Sequence, residues 1–200
     1  MVSNIYNLNT PWVESDLFNT IAKKKKNKKL ILAKKFNRDG YIIIDLKLNK
    51  NFINSVIKDI IKLKEDENSK KNPSIYHYNS SPRLIEGYKK SKHIKQLCKN
   101  KKVEQILEYF YDKKPVAINS INFLKGTDQP FHSDYIHFSS YPHKYLAGLW
   151  IALEKTDETN GALMVVPGSH KLEIVDYSLF KLSKPKSIIE LSKYYKAYEK

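Results

Sequence analysis

The chain has 200 residues, is 41% hydrophobic and 12% aromatic, and carries a formal net charge of +15. That length suits one domain with a sizeable buried core, and the aromatic share argues against a disordered chain. The lone cysteine, Cys98, excludes an intrachain disulfide and a cysteine-rich zinc site, so a reducing, cytoplasmic setting is expected. The start of the chain has neither the basic residues nor the apolar stretch of a signal peptide, and no apolar run is long enough to span a membrane. Nearly all the positive charge is lysine, with Arg38 and Arg83 the only arginines. A nucleic-acid reader recruits arginine for bidentate contacts. The lysine surface is therefore read as solvated and as a product of AT-rich coding, and no nucleic-acid partner is expected.

Residues 1–29 are polar, with lysines at 23–26, 28 and 29, and are read as a basic N-terminal arm or a solvated helix face. The spacing from Leu30 to Phe36 predicts a short helix that stops over Asn37-Arg-Asp-Gly40. Tyr41 to Asp45 is a β-branched run between turn residues, a predicted strand. Asn51 to Lys64 places Phe52, Val56, Ile57, Ile60 and Ile61 at helical spacing and serves packing. Asp66 to Pro82 reads as a polar loop, and its His77 is left without a role. Ile94 to Tyr111 reads as one or two helices interrupted near Lys99-Asn100, with Cys98 as core filler. From Pro115 the apolar period becomes strand-like, with candidate strands at Val116–Leu124, Phe131–Phe138, Tyr145–Leu153 and Ala162–Val166. Ser187 to Tyr198 is a predicted terminal helix. Helices first and short strands afterwards predict an α+β chain, with an antiparallel barrel or sandwich and helices packed on one sheet.

The chemistry centres on Gln129-Pro-Phe-His-Ser-Asp134. On an extended backbone His132 and Asp134 point to one side, because side chains alternate with a period of two. An imidazole and a carboxylate converging on one point are two corners of a 2-His-1-carboxylate triad, the pattern of non-haem Fe(II) oxygenases. His137, three residues after Asp134, is expected on the opposite strand face, and His143 in a turn.

Around that pair lie Leu149-Trp-Ile-Ala-Leu153, Asp157-Glu-Thr-Asn-Gly-Ala-Leu163 and Val166-Pro-Gly-Ser-His-Lys171, with Phe36-Asn-Arg-Asp-Gly-Tyr-Ile-Ile-Ile44 upstream. These motifs, spanning about Leu30 to Lys171, resemble the phytanoyl-CoA dioxygenase family of Fe(II)- and 2-oxoglutarate-dependent oxygenases. The resemblance implies a double-stranded β-helix (a cupin-like jelly roll) over residues 30–200. It implies Fe(II), 2-oxoglutarate and O2 as cofactor and cosubstrates, with His132 and Asp134 as metal ligands. Trp150 and Asn119 are the positions it implies for contacting 2-oxoglutarate. The implied reaction is hydroxylation of an unactivated C–H bond in a small or lipid-like metabolite. The family pattern also has a second ligand histidine and a carboxylate-binding arginine beyond the segment ending at His170. Neither follows His170 here. Three readings stay open: the N-terminal part of a longer enzyme with an incomplete barrel, His170 as third ligand with a lysine as clamp, or a catalytically inactive jelly-roll binding module. An incomplete barrel would expose strand edges, so self-association is expected.

Overall fold

Trp12 organises the first layer of the fold. In the computed structural model, which describes residues 9–68, 75–78, 81–126, 129–138, 140–142, 144–173, 177–178, 180–182 and 188–198, its indole is fully buried. It stacks on Phe18 at 5.5 Å between ring centroids, and its Nε1 donates to the Tyr109 carbonyl at 2.8 Å. The 3-10 turn Trp12–Glu14 leads into α1 (Phe18–Lys24), then α2 (Leu30–Asp39). Val13, Phe18, Ile21 and Ala33 meet Ile106 and Phe110 of α6 (Lys101–Tyr111) in one core. Residues 12–22 thus depart from the solvated arm expected over 1–29: the lysines downstream dominate the composition, but the apolar side chains before them are buried. Lys25 joins this layer, its Nζ 4.3 Å above the Trp12 ring and 3.1 Å from Asp112 Oδ1.

α2 ends where the sequence signals it. Gly40 takes φ +82° and donates its N–H to the Phe36 carbonyl at 2.7 Å, a left-handed cap that suits glycine. A second core joins α3 (Lys50–Asn68) to α5 (Lys92–Cys98) through Val56, Ile60, Ile94 and Leu97. The short α4 (Gly87–Lys90) leads into α5. Cys98 packs at the margin of that core, and burial pushes its thiol pKa up, so it fills space as expected. Asn100 separates α5 from α6 because its side chain accepts from the N–H groups of Lys102 and Val103.

The sheet is antiparallel, in the order β1 (Ile75–Tyr78), β2 (Ser81–Ile85), β3 (Ile121–Phe123). The first two strands lie largely in the stretch read as a polar loop. Register pairs Arg83 with Phe123 and Leu84 with Asn122. Leu84 is fully buried on one face; Arg83, on the other, is only 9% exposed and has its guanidinium 5.4 Å from the Phe123 ring centre. That second face looks toward the motif at Gln129.

No double-stranded β-helix is formed among the described residues. Tyr41–Asp45, Tyr145–Leu153 and Ala162–Val166 carry no ladder, and in Val116–Leu124 only Ile121–Phe123 does. Ile43, Val116 and Met164 are largely exposed. Alternating apolar residues specify which side of a strand faces inward, but a ladder also needs a neighbouring strand to accept its hydrogen bonds. The terminal helix α7 (Ile188–Tyr198) buries Tyr194 and Tyr195 against Ile136, Tyr177 and Phe180.

Candidate metal centre

Ser133 holds extended backbone, φ −92° and ψ 132°, so its neighbours His132 and Asp134 face one side as the alternation rule requires. The chain then departs from the predicted strand. Asp134–Ile136 is a 3-10 turn, started by Ser133 Oγ accepting from the Tyr135 N–H. With three residues per turn, His137 comes back beside Asp134 instead of pointing away. Its ring centroid lies 5.5 Å from that of His132, which corrects the opposite-face expectation. His143 lies outside the described residues.

The hydrogen bonds of His132 fix its tautomer. The Pro130 carbonyl can only accept, so Nδ1 carries the proton and donates to it at 2.6 Å. Arg83 holds the Gln129 side-chain oxygen, so the Gln129 NH2 group faces Nε2 and gives that nitrogen the acceptor role. It accepts from the Gln129 side-chain amide at 2.9 Å and stands 3.4 Å from Asp134 Oδ1. A lone pair and a carboxylate oxygen thus face each other, an arrangement that a cation between them would relieve. Ligands about 2.1 Å from one ion show separations of roughly 3 to 3.5 Å, so the pair fits two corners of a metal site. A carbonyl partner on the far ring nitrogen is also what a metal-bound histidine has. Burial, and next the neighbouring His132, push the His137 pKa down. The His132 side chain is 17% exposed and that of Asp134 63%, so the pair is open to solvent on the carboxylate side.

Among the described residues no group of three His, Cys, Asp or Glu side chains is placed to hold a metal. His170, weighed above as a substitute ligand, is engaged elsewhere. Its ring packs on Phe36 at 6.1 Å, and its Nε2 donates to the Asn37 carbonyl at 3.2 Å. The Gly168 N–H of the same turn donates to the Asp39 carbonyl at 2.9 Å. The Val166–Lys171 and Phe36–Ile44 motifs, distant in sequence, are therefore halves of one packed unit.

Of the two positions expected to contact the cosubstrate, Trp150 is 43% exposed. A Cβ built on Gly148, two residues earlier, would lie 3.6 Å from Asp134 Oδ2. Asn119 uses its side chain locally, its Oδ1 accepting from the Ser120 N–H at 2.8 Å. Sequence reasoning assigned no role to Arg83, Gln129 or Tyr195. Arg83 Nη2 donates to Gln129 Oε1 at 3.2 Å, and Gln129 Nε2 donates to the Tyr195 hydroxyl at 2.9 Å. The available signal was that Arg83 is one of only two arginines in a lysine-rich chain.

Residues 36–184 match the phytanoyl-CoA dioxygenase (PhyH) family, and the chain belongs to it. The family's fold is a cupin-like jelly roll, and its relatives are iron- and 2-oxoglutarate-dependent dioxygenases. A phytanoyl-CoA dioxygenase domain-containing protein 1 homolog of Caenorhabditis briggsae is 24% identical over 185 residues, covering 70% of this chain and 64% of that protein. Peroxisomal phytanoyl-CoA dioxygenase of Mus musculus is 26% identical over 94 residues, covering 44% of this chain and 28% of that enzyme. A probable alpha-ketoglutarate-dependent hypophosphite dioxygenase of Stutzerimonas stutzeri is 32% identical over 87 residues, 42% of this chain and 30% of that protein. The chain thus spans less than two thirds of the length of these relatives. No solved structure matches it. Among the described residues no helix is long and apolar enough to cross a membrane.

Proposed function

We propose that the chain is the metal-binding part of an Fe(II)- and 2-oxoglutarate-dependent dioxygenase that hydroxylates a C–H bond of a small or lipid-like metabolite. The observation that carries this is the facing of bare His132 Nε2 and Asp134 Oδ1 across 3.4 Å, with His132 Nδ1 tied to the Pro130 carbonyl. When bound, iron with 2-oxoglutarate would let O2 act as the oxidant, one oxygen atom going to succinate as the cosubstrate loses CO2 and the other to the substrate as a hydroxyl. His132 supplies a neutral nitrogen whose direction the Pro130 carbonyl fixes. Asp134 supplies a negative charge and, by its presence, favours return of a hydroxyl over a halide. Trp150 would offer an aromatic wall to the cosubstrate, with Asn119 the weaker contact. The chain's net charge of +15 favours an anionic or phosphate-bearing substrate.

Anaerobic titration with Fe(II) and 2-oxoglutarate tests this reading. A visible charge-transfer band is expected in the wild type and is lost in His132→Ala and Asp134→Ala. A chain that takes up 2-oxoglutarate without developing a band would favour the second reading, a binding module without turnover. The specific observation behind that alternative is the lack of a third placed donor among the described residues.

A further inference from the structure

Gln129 sits on the nitrogen of His132 that a metal ion needs. Arg83 can only donate, so the amide atom facing it at 3.2 Å is the oxygen, and the NH2 group is turned toward His132 and Tyr195. From there it donates to His132 Nε2 and to the Tyr195 hydroxyl, both at 2.9 Å. The same Tyr195 hydroxyl lies within hydrogen-bond distance of His137 Nε2, 3.2 Å away. Both imidazoles of the centre are thus capped by one connected pair, Gln129 and Tyr195. The pair is anchored at both ends: Arg83 is 9% exposed in the sheet and Tyr195 2% exposed in α7.

We propose that Gln129 is a gate on the metal centre. Its amide, oriented by Arg83 and pinned by Tyr195, occupies the His132 Nε2 lone pair in the metal-free chain and swings aside when a divalent cation enters from the exposed Asp134 side. This inference rests on the reading of His132 and Asp134 as metal ligands. Entry of the ion breaks the hydrogen bond to His132 and strains the one to Tyr195. Each neutral hydrogen bond of this kind is worth roughly a three- to tenfold change in an equilibrium constant. Gln129 is here a positioning residue; it becomes no ligand itself. The device links metal loading to the seating of α7, because Tyr195 holds the amide in place.

The test is calorimetric titration of the full chain with Co(II) under anaerobic conditions. Gln129→Ala is expected to bind roughly three- to tenfold more tightly than the wild type, Tyr195→Phe to bind more tightly by a smaller factor, and His132→Ala to lose the site. Uptake that needs His132 but is unchanged or weakened in Gln129→Ala overturns the gate and leaves the metal reading standing. Uptake that never depends on His132 overturns both. A metal-free measurement on the unaltered protein covers the case of a variant that folds poorly. Imidazole 15N shifts should show His132 protonated at Nδ1 with a hydrogen-bonded, unprotonated Nε2; a proton on Nε2 overturns the gate.

Discussion

Gly40 and His170 approach so closely that a Cβ built on Gly40 would lie 2.5 Å from His170 Nδ1. That ring nitrogen is buried and has no hydrogen-bond partner among the described residues. Burial, the main effect on this ring, lowers its pKa and keeps it neutral. Packing against a bare Cα is thus what the site offers it. The φ of +82° at Gly40 adds a second reason for glycine.

Gly40→Ala should therefore lose stability twice over, about 1–2 kcal/mol from the left-handed backbone and a further 1–3 kcal/mol from the clash. In a His170→Ala background the clash is relieved and only the backbone part should persist. Urea unfolding of the two single variants and the double variant measures the coupling. Additive losses would show that the ring and the glycine do not share a contact. His170→Ala should leave Fe(II) uptake untouched, whereas a third ligand would abolish it.

Parts of this arrangement are legible in the sequence for local reasons. Gly40 ends α2 and Asn100 splits α5 from α6 because each acts on the backbone within a few residues of itself. His132 and Asp134 share a side because one extended residue, Ser133, suffices for that, whether or not a strand follows. His137 is misplaced by the same rule, since the rule holds only while the backbone stays extended and the chain turns at Asp134. The link from Arg83 through Gln129 to Tyr195 is invisible to periodicity, because it depends on side chains from a strand, a loop and a helix meeting in space. The apolar alternation at 145–153 and 162–166 is legible, but nothing in it names the neighbour that would complete a ladder.

Ser91 joins two helices with one hydroxyl. Its Oγ accepts from the His93 and Ile94 N–H groups at the start of α5 and donates to Asp59 Oδ2 on α3, which also meets His93 Nδ1 at 2.8 Å. Burial pushes the Asp59 carboxyl up, but the Ser91 and His93 hydrogen bonds outweigh it and the net shift is downward. Ser91→Ala should cost about 1–2 kcal/mol near neutral pH. A lowered folded-state pKa means stability that is present above the ordinary carboxylate range and lost as pH falls. The gap between wild type and Ser91→Ala should thus narrow in acid while the capping part survives. Denaturant unfolding at neutral and acid pH reads both; a gap that widens in acid would rule out Asp59 as the partner.

The chain's two tryptophans report on different places. Trp12 is fully buried and Trp150 is 43% exposed. Acrylamide should quench Trp150 emission and spare Trp12, so Trp150→Phe should remove most of the quenchable signal. If Trp150 lines the cosubstrate pocket, saturating 2-oxoglutarate with Fe(II) should shield it in the wild type. Trp150→Ala should then weaken 2-oxoglutarate binding by roughly three- to tenfold, the worth of one aromatic contact. Quenching indifferent to 2-oxoglutarate would assign Trp150 to surface or packing alone.

Glu14 gives the fold a pH dependence of its own. Its side chain is 9% exposed, with Oε2 3.9 Å from Lys144 Nζ, and the same ammonium donates to the His170 carbonyl at 3.4 Å. Burial raises the Glu14 pKa from 4.5 to about 7, with Lys144 pulling in the opposite direction. The folded state therefore holds this proton more tightly than the unfolded chain does. Its contribution is complete below the unfolded pKa, near 4.5, and is lost as pH climbs through about 7. Above that, a charged carboxylate stays buried at a cost of about 3 kcal/mol at most. Glu14→Gln keeps the shape and removes the charge, so its advantage over the wild type should grow as pH rises from 4.5 and level off above about 7. Unfolding free energies of the two proteins across that range supply the measurement. Parallel curves would mean that Glu14 ionises in the folded protein as readily as in water.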